Sequence, residues 1–355
     1  MTVFLILIVL GLLGITVWQI SKIFKLSQSK KSDVPTGVQD DRDNKIQAYI
    51  MMVFGIAFYA FMIYNFWEYS RFYPPTSASV EGVQIDRLFF ITIVIIMIVQ
   101  VITQALLVYY TFKYRGRKNR RATFIAENEK LEFAWTIIPV IVLACLIIYG
   151  LFTWSDIMNV EKSEDTLVIE LYAYQFGWKA RYSGADNTLG KANVRFIKGI
   201  NTLGIDKSDP YGQDDKVTSV LHLPKGQKVL FKMRSQDVIH SAYFPHFRAQ
   251  MNVLPGMVTQ FAFTPSITTK EMRKSPYMRK KVNEINDIRQ EKSKELVAEG
   301  DMPLDPYTFD YFLLCNKVCG TSHYNMQMKI IVETPEEFQK WIDEQPTFAE
   351  SLKKS

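Results

Sequence analysis

Cysteine and histidine are scarce in this chain, with three of the first and four of the second in 355 residues. That is too few to staple a small secreted scaffold, so an apolar core must hold the fold. No Cys-x-x-Cys-His occurs, which excludes a covalently attached c-type haem. A Gly-rich phosphate loop, a hydrolase nucleophile motif and an internal repeat are also missing, and nucleotide-driven and hydrolytic chemistry go with them. The region after Asp156 has no excess of either charge sign, so the net charge of +6 does not describe a surface for nucleic acid.

The apolar residues are concentrated instead. Four uncharged stretches fall before Asp156, at 1–21, 46–67, 88–112 and 133–155. Each reaches the roughly 20 residues needed to cross about 30 Å of hydrocarbon. Between the first two lie Lys22, Lys25, Lys30, Lys31, Arg42 and Lys45. Between the last two lie Lys113, Arg115, Arg117, Lys118, Arg120, Arg121 and Lys130. The loop 68–87 has only Arg71 and Arg87. This alternation is the positive-inside pattern of four spans, with the N-terminus and everything after Asp156 outside. The start Met1-Thr2-Val3 lacks the positive charge of a signal peptide, so the first stretch is expected to remain as a helix. Cys145 falls inside the fourth stretch, where a thiol packs as a small hydrophobe.

The exported part reads as strands. Residues 166–176, 217–223, 227–234, 258–263, 308–314 and 328–333 are rich in β-branched and aromatic side chains, with turn signals at Pro224-Lys225-Gly226 and Pro255-Gly256. Short strands separated by turns predict an antiparallel β-sandwich with Greek-key connections. Two segments read as insertions: a Gly-, Asn- and Asp-rich loop at 183–216 and an exposed charged helix at 268–300. Thr334-Pro335-Glu336-Glu337 opens a short C-terminal helix. The domains expected are therefore 1–87, a two-helix membrane region; 88–155, a helical hairpin; and 156–355, the exported domain.

Chemistry is concentrated at 315–326, where Cys315, Cys319, His323 and Met326 follow a predicted strand as C-x3-C-x3-H-x2-M. Two thiolates, an imidazole and a thioether form a soft to borderline donor set suited to copper in electron-transfer sites. Cysteines four apart can put both sulfurs on one side, where each bridges two ions. His240, in Asp237-Val238-Ile239-His240-Ser241, offers a second imidazole. Three other readings stay open at this point. A Cys315–Cys319 disulfide leaves His323 and Met326 unexplained. A zinc site of Cys315, Cys319, His323 and His240 satisfies tetrahedral geometry but leaves the methionine idle. A mononuclear blue-copper site leaves one cysteine over.

The stretch resembles the copper loop of cytochrome c oxidase subunit II, a family in which it reads C-x-E-x-C-G-x-x-H-x-x-M. Asp237-Val238-Ile239-His240-Ser241 is similar to the family's D-V-x-H-S, and Leu254-Pro255-Gly256 to its I-P-G turn. Leu131-Glu132-Phe133-Ala134-Trp135-Thr136-Ile137-Ile138-Pro139 resembles its L-E-x-x-W-T-x-x-P, and Gln175-Phe176-Gly177-Trp178 its Q-W-x-W. The matches run in family order from about residue 88 to the C-terminus. The resemblance implies a cupredoxin-like sandwich on a two-helix hairpin, with two additional helices here. It implies a binuclear CuA centre held by the side chains of His240, Cys315, Cys319, His323 and Met326 and by the carbonyl of Lys317. It also implies a role: taking electrons from cytochrome c and passing them to the haem–copper site of subunit I, where oxygen is reduced and protons move.

The departures from the family pattern carry expectations of their own. Lys317 stands where the family has Glu, so a magnesium contact at the border with subunit I is expected to be missing or rebuilt. Phe176 replaces the family's first tryptophan, where electrons enter, which leaves Trp178 either to take that role or to pack. Tyr172 and Tyr174 are as readily core as functional. Glu132 matches a glutamate at the mouth of a proton pathway; the alternative is a carboxylate capping a helix. His222 and His246 have no family counterpart and are read as surface or core histidines. The electron donor is a separate cytochrome c, soluble or tethered, and the added helices with the 268–300 segment suggest docking in a respiratory supercomplex. Four spans point to a bacterial plasma membrane with the copper domain on the periplasmic side. Two rivals remain: a membrane-bound copper carrier, disfavoured by so full a ligand set, and a copper-free quinol oxidase subunit, disfavoured by the presence of all five side-chain ligands.

Overall fold

A computed structural model describes residues 2–28, 41–70, 75–117, 120, 121, 123–159 and 165–353. Four helices come first: α1 (Thr2–Gln28), α2 (Asp41–Tyr69), α3 (Val80–Lys113) and α4 (Glu129–Met158). Among the described residues, α2, α3 and α4 are long and apolar enough to cross a membrane, while the described apolar stretch of α1 is Val9–Ile23. With no water in the bilayer to satisfy backbone groups, an unbroken helix is the economical way across. Pro139 lies inside α4, as membrane helices tolerate.

The chain divides into two compact units, 1–68 with 98–128 and 69–97 with 129–355. In the first, Lys22 pairs with Asp43 between α1 and α2, and the Tyr59 hydroxyl reaches the Val101 carbonyl at 3.2 Å. Gly55 lets α2 approach α3 closely, since a Cβ there would sit 2.7 Å from Val108.

The second unit holds a β-sandwich. Its strands are β1 (Leu167–Tyr174), β2 (Gly177–Tyr182), β3 (Lys216–Thr218), β4 (Leu221–Pro224), β5 (Val229–Ser235), β6 (His240–Phe244), β7 (Ala249–Val253), β8 (Thr259–Phe263), β9 (Tyr311–Cys315) and β10 (Gln327–Glu333). They form two five-stranded sheets, ordered β3-β2-β1-β5-β8 and β4-β10-β9-β6-β7. Ile169, Leu171, Phe231, Met233, Phe244, Phe263, Tyr311, Leu313 and Ile330 fill the space between. Side chains alternate across each strand, so one set faces this core. The expected sandwich is present, with one correction: β1 with β5 and β4 with β10 are parallel, so the sheets are mixed. Strands that cross from one sheet to the other and return make such pairs, and turn signals do not reveal them.

The start of α3 is tied into this sandwich. The Ser79 hydroxyl donates to the Phe247 carbonyl at 2.7 Å, Glu81 accepts from the Thr264 amide, and Asp86 pairs with Arg248. Ile157 of α4 joins the core. The 268–300 segment is helical as expected: α5 (Thr269–Lys274) and α6 (Pro276–Glu299), with Ile288 and Val297 exposed. The tail forms α7 (Pro335–Asp343) and α8 (Phe348–Lys353), and a Thr334–Glu337 capping box opens α7. The 183–216 segment has more order than its composition suggests. Leu203 and Ile205 are buried with Tyr172 and Phe348 in a small second core on the outer face of β1 and β2.

Candidate metal centre

The pairing of β6 with β9 sets the geometry. Ala242 lies opposite Cys315, the last residue of β9. Successive side chains of a strand alternate, so His240, two residues from Ala242, points to the same side. The loop from β9 to β10 is closed at its base by the Cys315 amide donating to the Met326 carbonyl at 3.0 Å. The Asn316 amide also donates to the Ser241 carbonyl at 3.0 Å, fastening the loop to β6. A 3₁₀ turn over His323–Asn325 then turns the chain back to Met326.

The donors converge. Cys315 Sγ lies 3.9 Å from Cys319 Sγ, 3.8 Å from His240 Nδ1 and 3.2 Å from the Lys317 carbonyl oxygen. Cys319 Sγ lies 3.6 Å from His323 Nδ1 and 3.7 Å from Met326 Sδ. Both cysteines are free, and a sulfur separation near twice the bond length of a disulfide is not one. His240, Cys315 and Cys319 place their donor atoms within 4.8 Å of one another. The site is largely dry: His240 and Met326 are buried, as are both cysteines, while His323 is half-buried. The Lys317 side chain is exposed, so only its carbonyl belongs to the cluster.

Electrostatics favour a bound cation. Burial, then the neighbouring Cys315, pushes the Cys319 thiol up to about 11. Ionising Cys319 calls for compensating positive charge, which is what a metal provides. Asp237 sets the histidine. Burial opposes its charge, but hydrogen bonds from His240 and from the Gln175 and Val238 amides prevail and hold its carboxyl below the usual range. As an ionised acceptor 2.9 Å from His240 Nε2, it fixes the proton there and leaves Nδ1 facing Cys315.

The aromatic residues divide. Trp178 is buried with its ring edge-on to His240 at 6.1 Å between centroids. Phe176 is half-buried against the ligand loop: a Cβ on Gly320, whose φ is +143°, would lie 2.8 Å from its ring. Glu132 does not join the cluster, lying in the first turn of α4, about 40 Å along the helix from the end that meets the sandwich. His222 stacks on Trp341 and lies 2.8 Å from Glu333, and His246 packs against Phe309 and Tyr311, so neither belongs to the donor set. Sequence reasoning missed Gln175 and Gly320 as parts of this site. The one signal for Gln175 was its place in the Gln175-Phe176-Gly177-Trp178 run.

Fold and site together define a class: a β-sandwich that follows helices apolar and long enough to cross a membrane, with a buried cluster of soft donors that could hold a metal ion. Residues 65–152 match the family model for the transmembrane domain of cytochrome c oxidase subunit II. The chain is 32% identical over 243 residues to the alternative cytochrome c oxidase subunit 2 of Bradyrhizobium diazoefficiens, covering 68% of this chain and 73% of that one. It therefore belongs to the cytochrome c oxidase subunit II family, and so to a haem–copper oxidoreductase complex. It is also 22% identical over 282 residues to cytochrome c oxidase subunit 2 of Cereibacter sphaeroides, covering 76% and 78% of the two chains. Among solved structures it is similar to the periplasmic domain of subunit II of cytochrome oxidase of Bradyrhizobium japonicum, at 18% identity and a TM-score of 0.29 over 52% of this chain and 94% of that one.

Proposed function

We propose that this chain takes electrons from cytochrome c at a binuclear CuA centre and passes them to the haem–copper site of subunit I, where oxygen is reduced to water and protons are translocated. One observation carries the reading: two thiols, two imidazoles, a thioether and a main-chain carbonyl gather around one point, with neighbouring donors 3.2–3.9 Å apart. Cys315, Cys319, His240, His323 and Met326 would hold two copper ions through their side chains, and Lys317 through its carbonyl. Such a pair, when bound, supplies a one-electron couple shared between two metals. The protein's part is to hold the donors on β6, β9 and a tied loop, so that little moves when charge changes. Zinc would leave Met326 idle, although it is buried 3.7 Å from Cys319 Sγ.

The other assignments follow from position. Trp178, buried beside His240, suits the inner end of an electron path, and Phe176, half-buried over the ligand loop, suits its outer end. Glu132 lies at the opposite end of α4 from the sandwich, on the cytoplasmic side by the charge pattern, where a proton pathway of subunit I would open. An ammonium at Lys317 cannot bind magnesium, so that family contact is absent or rebuilt here. The sandwich lies on the periplasmic side of a bacterial plasma membrane, and α1 completes a four-span anchor. The α1–α2 pair and the projecting α6 are contacts for a partner complex, which places the oxidase in a supercomplex with a soluble or tethered cytochrome c as donor.

The test is metal content and reduction of the full chain in detergent. Copper loading should give two ions per chain, reduced on mixing with ferrocytochrome c, and Cys319→Ser should abolish both. One zinc per chain and no reduction would refute the reading.

A further inference from the structure

The ligands come from two separate parts of the chain. His240 belongs to the segment before β6, and the other donors to the loop between β9 and β10. Among the described residues, the turn between β1 and β2 touches both. The Gln175 amide donates to Asp237 Oδ2 at 2.7 Å, and Asp237 Oδ1 accepts from His240 Nε2. The Gln175 side chain reaches the other way, and its Nε2 donates to the Cys319 carbonyl. Phe176 and Gln175 close over Gly320, where a Cβ would fall 2.8 Å from the Phe176 ring and 2.9 Å from Gln175 Nε2.

We infer that Gln175 is a positioning residue for the metal centre, a strut that holds the histidine-bearing segment and the thiol-bearing loop at a fixed separation before any metal binds. This rests on the proposed copper reading but reaches beyond the ligands. A carbonyl that accepts from Gln175 cannot rotate freely, and the Cα of Cys319 turns with it. The direction of the Cys319 sulfur is therefore set from β1 and β2, on the opposite sheet from β6 and β9. Asp237 is anchored by the same residue, so one turn orients His240 Nδ1 and Cys319 Sγ together.

The informative change is Gln175→Glu, which keeps the backbone amide, the length and the shape but presents an acceptor to the Cys319 carbonyl. Gln175→Leu serves as an uncharged second variant. In the full chain in detergent, copper affinity measured by chelator competition should fall on the order of tenfold. The near-infrared band and copper hyperfine pattern should shift as the two sites become inequivalent. Hydrogen exchange of the metal-free chain should quicken at the amides of 317–321, with apo melting temperature recorded for each variant. Unchanged affinity, spectrum and exchange would overturn the inference, as would a loss of melting temperature alone, which marks a merely structural role. The exchange measurement needs no copper. A wild-type chain that binds no copper would sink the CuA reading, while exchange would still decide whether Gln175 restrains the loop.

Discussion

A thiol surrounded by apolar atoms and a second thiol resists ionisation, and Cys319 is such a thiol, pushed up to about 11. Binding of a soft cation reverses that preference, and protons are released as metal enters. Copper uptake should therefore weaken as pH falls, and a Cys319→Ser chain should lose the second ion and the shared signal altogether. Copper titrations at two pH values, with proton release followed in weak buffer, check both. A different residue contributes to the acid stability of the domain. Burial, with Lys281 and Arg248 nearby, lowers His246 from 6.5 to about 4. Its folded value lies below its unfolded one, so the contribution is complete above pH 6.5 and is lost as pH falls toward 4. At about 1.4 kcal/mol per unit, the full effect is at most about 3.5 kcal/mol. Melting curves of wild type and His246→Phe across pH 7 to 4.5 should show a smaller acid-side loss in the variant.

At the scale of elements, the 183–216 segment depends on buried charge. Arg181 of β2 pairs with Glu170 at 2.5 Å and with Asp215 at 2.9 Å, and also donates to the Gly190 carbonyl. Arg234 of β5 pairs with the other oxygen of Glu170. Removing one partner strands the others without water. Arg181→Met should cost about 3–5 kcal/mol and open 183–216 to limited proteolysis ahead of the strands. None of this is legible in the sequence, because the partners lie far apart along the chain and the segment's Gly and Asp read as solvent-exposed loop. The strand runs near 167, 229, 259 and 328 were legible because their apolar residues are dense and bounded by turns. β2, β6 and β7 were not. Lys179 and Arg181 disguise β2, β6 reads as a ligand loop because of His240, and Ala249–Val253 has a single β-branched residue. The candidate cluster at 315–326 was legible, since its spacing is local and chemically unusual. The strut from Gln175 was not, because it acts through a backbone carbonyl distant in sequence.

At the scale of the molecule, three long apolar helices and the Val9–Ile23 stretch of α1 precede in sequence a sandwich whose β9–β10 loop, the proposed metal loop, is tied to its strands. The projecting α6 is fastened at its start by Met278 in the core and along its length by Asn286 to Tyr307 and Arg289 to Asp305. A replacement of 279–299 by a short linker should leave copper binding intact and weaken co-migration with a partner complex on native gels. Continued co-migration would remove α6 from that role. The most direct test of the central claim is the EPR and near-infrared spectrum of the copper-loaded full chain. A purple protein with two ions sharing one unpaired electron is the predicted result. A colourless chain holding one zinc, or one with no metal and a Cys315–Cys319 disulfide, would contradict the proposed role in electron transfer and leave the membership of the family standing alone.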